Sequence, residues 1–187
     1  MRICLLAGLI TFFFSSLAIA TPFKQDLTLQ DVTFHLSSAN EGSQNQLTIT
    51  IDGLKSKTDP TLHEIDGTIT GAEVADLNSD GSPEVYVYTT SAGSGSYGNV
   101  TGVSVNKMKS ASDIFMPPIT ENKKLSAGYM GHDEFAVVEG NLVRRFPIYK
   151  AGDTNAKATG GLRQVNYKLK VGEAGWVLRI KNSMDFK

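Results

Sequence analysis

Apolar and polar residues alternate in short runs along most of the chain, and no long window repeats at the helical period. Leu27-Thr28-Leu29 and Val32-Thr33-Phe34-His35-Leu36 read together as one strand over residues 27–36. A polar turn follows over residues 37–45, and Leu47-Thr48-Ile49-Thr50-Ile51 alternates cleanly as a half-buried strand. Asp52-Gly53 opens a turn, and residues 55–61, polar and carrying Pro60, form a loop. Residues 65–74, rich in Thr and Gly, predict a strand with an irregularity. Glu84-Val85-Tyr86-Val87-Tyr88-Thr89-Thr90 and Val100-Thr101-Gly102-Val103-Ser104-Val105 are rich in β-formers and flank a Gly/Ser segment. Residues 135–139 and 142–146 flank Gly140-Asn141, a two-residue hairpin signal, and residues 165–171 and 176–180 flank a second turn at 172–175. Residues 107–125 show no readable period, and Met116-Pro117-Pro118 excludes a regular helix there. About eight short strands with frequent turns predict an all-β fold, an antiparallel β-sandwich with a barrel-like form as the alternative.

The first twenty residues stand apart from this pattern. One Arg precedes an apolar run that ends in Ala18-Ile19-Ala20, which reads as a secretory signal peptide over 1–20. The run is short for a bilayer span, and no second long apolar run follows. The remaining residues 21–187 are enough for one domain with its own core. Cys4 is the sole cysteine and leaves with the signal, so the secreted domain carries no disulfide, which suits a bacterial periplasm. The chain has 18 basic and 19 acidic residues, and loss of Arg2 brings the net charge from −1 to −2. No basic stripe points to nucleic acid, and after cleavage no membrane partner is expected. Open sheet edges would allow pairing into a homodimer.

Candidate chemistry falls in three places. Asp76-Leu77-Asn78-Ser79-Asp80-Gly81-Ser82-Pro83-Glu84 matches the first half of a calcium loop, with oxygen side chains at positions 1, 3 and 5 and Gly at 6. Position 12 is Val87 rather than Glu, so it is no EF-hand. A metal-free Asx turn is the preferred reading, and no cofactor or metal is expected. Asp76, Asn78, Asp80 and Glu84 are the residues of a weak Ca²⁺ site under the alternative, a calcium-dependent binding module. His132-Asp133-Glu134 places three titratable groups together, but adjacent strand residues point to opposite faces, so a solvated turn is expected. A hydrolase built on Asp133 or Glu134 would need converging carboxylates, and a non-enzymatic role is preferred. Arg144-Arg145 reads as a solvated pair.

The third place is Ser91-Ala92-Gly93-Ser94-Gly95-Ser96-Tyr97-Gly98-Asn99, an uncharged Gly/Ser loop with one aromatic, longer than closure requires. Tyr97 lies between Gly95 and Gly98, where packing support is expected to be least. Ser94-Gly95-Ser96-Tyr97 fits an S-G-x-Y pattern and resembles the bacterial periplasmic lysozyme inhibitors, specifically those of invertebrate-type (I-type) lysozyme. The signal peptide, the turn at 76–84, the strand after it and the all-β remainder extend the resemblance over most of the secreted chain. The resemblance implies a protein that enters the lysozyme cleft with this loop. The Ser94 hydroxyl and Tyr97 phenol would meet the two catalytic carboxyl groups, with backbone N–H groups of Gly95 and Ser96 as further donors.

Overall fold

A computed structural model describes residues 21–187; the expected signal peptide lies outside the described residues. These residues form twelve strands and one short 3-10 turn. Four strands, β1 (Phe23–Leu29), β2 (Val32–Ser38), β3 (Gln44–Asp52) and β4 (Thr61–Asp66), make an antiparallel sheet in sequence order. The remaining eight are β5 (Thr68–Ala75), β6 (Glu84–Thr90), β7 (Gly98–Asn106), β8 (Ser110–Phe115), β9 (Glu134–Val138), β10 (Asn141–Pro147), β11 (Leu162–Val171) and β12 (Trp176–Phe186). They form a second sheet in the order β5-β6-β7-β8-β12-β11-β10-β9. No helix of the described residues is long and apolar enough to cross a membrane.

The period-2 pattern decides which faces meet. Val32, Phe34 and Leu36 of β2 and Leu47, Ile49 and Ile51 of β3 turn one face inward against Ile69, Val85, Val87, Val103 and Val105 of the larger sheet. The opposite face of that larger sheet curls around a second core holding Tyr86, Tyr88, Leu142, Phe146, Val165 and Tyr167. β6 therefore serves both cores: Val85 and Val87 face one, Tyr86 and Tyr88 the other. This explains why β6 is a nearly continuous run of buried side chains. The curl almost closes the sheet. Glu73 of edge strand β5 accepts from the backbone N–H of Val137 on edge strand β9 (2.8 Å) and from the Tyr88 hydroxyl (2.5 Å).

The all-β expectation thus holds, with the sandwich made of two sheets and the barrel-like form found in the larger one. The strands number twelve because three breaks carry little sequence signal. Gln30-Asp31 turn the chain between β1 and β2 with φ of 53° and 62°, dividing the single strand expected over 27–36. Gly67, at φ 104°, passes the chain from β4 in one sheet to β5 in the other. Lys107 and Met108, at φ 51° and 59°, turn β7 into β8 inside the segment without readable period. β8 then makes the parallel contact of the sheet, Ile114 and Phe115 lying beside Trp176 and Val177. The expected Gly140-Asn141 turn is shifted by one residue. Glu139 and Gly140 occupy the turn with φ of 48° and 65°, as a type I′ hairpin requires, while Asn141 pairs with Val138 and its amide donates to the Val138 and Glu139 carbonyls.

Candidate functional site

The two motifs read from the sequence sit at opposite ends of β6, the strand shared by both cores. The Gly/Ser loop leaves its C-terminal end and returns as β7. Its neck is closed by the Ser91 N–H donating to the Tyr97 carbonyl (2.9 Å) and the Tyr97 N–H to the Ser91 hydroxyl (3.0 Å). The turn itself spans Gly93 to Ser96, closed by Ser96 N–H to Gly93 O at 2.9 Å, one residue earlier than a turn over 94–97. That bond uses the Ser96 N–H internally, so it is not an outward donor. Ser96 takes the left-handed backbone (φ 44°). Gly95 is needed for a different reason: a Cβ there would lie 2.5 Å from the Tyr97 ring. Ser94 and Tyr97 are exposed, Tyr97 at 49%, and among the described residues neither side-chain hydroxyl has a hydrogen-bond partner.

The loop is held from below rather than hanging free. The His132 N–H donates to the carbonyls of Gly95 (2.8 Å) and Ser96 (3.1 Å). The Asn155 amide donates to the Ser94 carbonyl at 2.5 Å, and its oxygen lies 3.2 Å from His132 Nε2. Gly131 (φ 89°) lets the chain pass under the loop, since a Cβ there would stand 1.9 Å from the Gly95 carbonyl oxygen. Tyr97 does have packing support: its ring meets Tyr129 edge-on at 5.7 Å, and Tyr129 meets Phe146 at 4.8 Å.

Beneath these rings lies a buried ion pair. Asp133 Oδ1 accepts from Arg144 Nε at 2.7 Å, with both side chains at most 5% exposed. Asp133 Oδ2 accepts from the Gly98 N–H at the start of β7 (2.7 Å) and from the Tyr129 hydroxyl (2.6 Å), to which Arg144 Nη2 also donates (2.7 Å). Burial is the largest single influence on Arg144 and opposes its charge, but the hydrogen bond to Asp133 and the Asp133 charge, with Tyr129 and Tyr167, together outweigh it and raise the guanidinium pKa. Burial first, and the Asp133 acceptor second, push the Tyr129 phenol up, so it stays a neutral donor. The expected solvated turn at 132–134 and solvated Arg pair are therefore corrected for Asp133 and Arg144. Glu134 remains exposed opposite Arg145 on β10. Both oxygens of Asp133 are committed to structural donors, so Asp133 and Glu134 do not converge as a hydrolytic pair.

Sequence reasoning singled out the loop but missed its supports, Tyr129, Gly131, His132, Arg144 and Asn155. They come from three separate segments, and only His132-Asp133-Glu134 and Arg144-Arg145 carried a visible signal, each of which reads in the sequence as solvated. The unread segment 107–125 also joins the site. A groove of about 450 Å³ runs beside Tyr97, walled by Phe115, Met116, Pro117 and Tyr129.

At the other end of β6, residues 76–84 form an Asx-rich turn. Asp76 accepts from the N–H groups of Asp80 and Gly81, both at 3.0 Å, and Asp80 accepts from the Ser82 N–H at 2.9 Å. Asn78 donates to Asp80 Oδ2 at 2.9 Å. Glu84 closes the turn from a fully buried position, accepting from the Leu77 N–H at 2.8 Å. Its pKa is pushed up to about 8, first by burial and further by the Asp76 and Asp80 charges, against the Leu77 hydrogen bond.

Residues 59–117 match the model of a protein family described as periplasmic lysozyme inhibitor of I-type lysozyme. The matched segment holds β4 to β8, the turn at 76–84 and the whole Gly/Ser loop. The resemblance carried by Ser94, Gly95, Ser96 and Tyr97 is thereby borne out over that segment. No curated protein and no solved structure matches the chain.

Proposed function

We propose, with the match to the I-type lysozyme inhibitor family as premise, that the protein inhibits I-type lysozyme in the periplasm by placing Ser94-Gly95-Ser96-Tyr97 in the enzyme's cleft. The observation that carries this reading is the loop's combination of exposed donors and a fixed base. Ser94 and Tyr97 present hydroxyls with no partner among the described residues, while the backbone between them is tied to His132 and Asn155. A loop already held in one shape loses little entropy on docking, which is where a flexible Gly/Ser segment would lose affinity. Lysozyme chemistry needs two carboxyl groups flanking a sugar cleft. An uncharged loop enters without repulsion, and hydroxyl donors would satisfy those carboxyl groups. The groove beside Tyr97 offers an apolar wall for the rim of the enzyme.

Each hydrogen bond to an ionised carboxylate contributes about 1.5–3 kcal/mol, or roughly 10- to 150-fold in affinity. Ser94→Ala and Tyr97→Phe are each expected to raise the inhibition constant against I-type lysozyme by that factor, and the pair by more than about 100-fold. Peptidoglycan-lysis assays with I-type, chicken-type and goose-type enzymes test both the reading and its selectivity. An unchanged inhibition constant in the double variant would refute the loop as the inhibitory element, and no effect on any enzyme would refute inhibition itself.

A further inference from the structure

The lysozyme reading makes no use of residues 76–84, and one of them sits where it should be unstable. Glu84 opens β6 with no solvent exposure. One carboxylate oxygen accepts from the Leu77 N–H at 2.8 Å and the Tyr86 hydroxyl at 3.4 Å. The other, Oε1, is buried with no hydrogen-bond partner. A carboxylate oxygen that has lost water and gained no donor is costly to hold. Among the described residues, no Lys, Arg or His forms an ion pair with Asp76, Asp80 or Glu84. Yet one oxygen from each of these three carboxylates lies within 4.8 Å of the others. Oxygens bound to one Ca²⁺ at 2.3–2.6 Å can stand at most about 5 Å apart, so the three already fit around a single ion.

We propose that residues 76–84 form a Ca²⁺ site in which Asp76, Asp80 and the buried Glu84 supply carboxylate oxygens and Asn78 an amide oxygen. The donors are all oxygen, which excludes the nitrogen and sulfur sets favoured by zinc and copper. Ca²⁺ tolerates irregular geometry, whereas Mg²⁺ demands a near-ideal octahedron that a loop of this kind does not impose. The Asx turns do not compete with the ion. Each carboxylate oxygen has two lone pairs. Asp76 Oδ1 accepts one bond, from the Asp80 N–H, and the two Asp80 oxygens accept one each, from the Ser82 N–H and the Asn78 amide. Each of these oxygens keeps a free lone pair, as does Asn78 Oδ1, which accepts from the Asp80 N–H. Asp76 Oδ2 already accepts two, from the Gly81 N–H and the Gln30 amide. A groove of about 380 Å³ opens beside Asn78, Ser79 and Asp80. Of the two lysines on that groove, Lys168 is bound to the Gly140 carbonyl and Lys170 is exposed. The ion would pin the start of β6. The inhibitory loop leaves the far end, seven residues or roughly 20 Å away, so the metal would stabilise the fold without entering the lysozyme contact.

Calcium titration of the 21–187 chain, stripped of metal with chelator, tests this by calorimetry and by thermal unfolding. The expected result is saturable binding with a dissociation constant on the order of 10⁻⁴ to 10⁻³ M, as for extracellular calcium modules, and a melting temperature that rises with calcium concentration. Tb³⁺ added as a probe should luminesce on excitation of Tyr86 or Trp176, which flank the site. Glu84→Gln and the exposed Asp80→Asn should each abolish the heat, the thermal shift and the luminescence. Both should keep the β circular-dichroism spectrum and the inhibition of I-type lysozyme. Absence of heat and shift up to about 10 mM calcium would overturn the site. So would a response of equal size in wild type and Asp80→Asn, which would report surface binding only. Lysozyme inhibition is read separately, so failure of the metal site and failure of the inhibitor reading give different results.

Discussion

Asp133 and Arg144 show how much one buried pair can support. The carboxylate fixes the first N–H of β7 through Gly98 and the ring position of Tyr129, and the guanidinium lies 5.0 Å from the Tyr129 ring centre and 5.5 Å from that of Phe135. Removing the cation leaves Asp133 charged in a place without water. Arg144→Met should therefore destabilise the fold by about 3–5 kcal/mol, the range for breaking a buried pair from one side. Urea unfolding checks this, with a lower midpoint and an unchanged slope expected. Asp133→Asn should cost a similar amount, because it leaves the buried Arg144 cation without its counter-charge and turns an amide NH2 toward groups that donate. If Arg144→Met unfolds at the wild-type midpoint, the pair does not act as the foundation of the loop.

At the level of elements, the Gly/Ser loop behaves as a finger braced by the segment 131–133. Gly131 is the point of closest approach, and there an alanine would meet the Gly95 carbonyl oxygen and also adopt a left-handed backbone. Gly131→Ala is expected to cost about 1–3 kcal/mol in stability and to weaken lysozyme inhibition at least about tenfold, because the loop must shift to make room. Gly93→Ala is the control: open space surrounds Gly93, its φ is not in the left-handed region, and neither readout should change. Equal inhibition by both variants would show that the loop docks without its brace. The brace marks the limit of what the sequence reveals. β3 was legible because Leu47, Ile49 and Ile51 alternate, and the loop because Gly and Ser cluster between two β-rich runs. The turns at Gln30-Asp31 and Lys107-Met108 were not, because ordinary residues take positive φ there under tertiary constraint. The support of Tyr97 by Tyr129, and of Ser94 by Asn155, joins residues 32 and 61 positions apart, and no local pattern encodes such pairs.

For the whole molecule, the question is what keeps an eight-stranded sheet curled when its edge strands do not pair along their length. The closure rests on Glu73, whose Oε2 accepts from both the Tyr88 hydroxyl and the Val137 N–H. Tyr88 also stacks on Phe135 of the far edge at 5.7 Å, so the polar contact has an aromatic one beside it. Glu73→Ala leaves two donors without a partner, each worth about 1–3 kcal/mol when it cannot reach water. Glu73→Gln retains an acceptor oxygen and should stay near wild type. Amide hydrogen exchange at Val137 is the local readout: Glu73→Ala should speed it markedly, Glu73→Gln little. The seam also bears on function, because β9 continues directly from the Asp133 brace. If the sheet is one mechanical unit, Glu73→Ala will weaken lysozyme inhibition although Glu73 lies outside the loop. If stability falls while inhibition is unchanged, the ion pair alone suffices to hold the finger, and the closed sheet serves only stability.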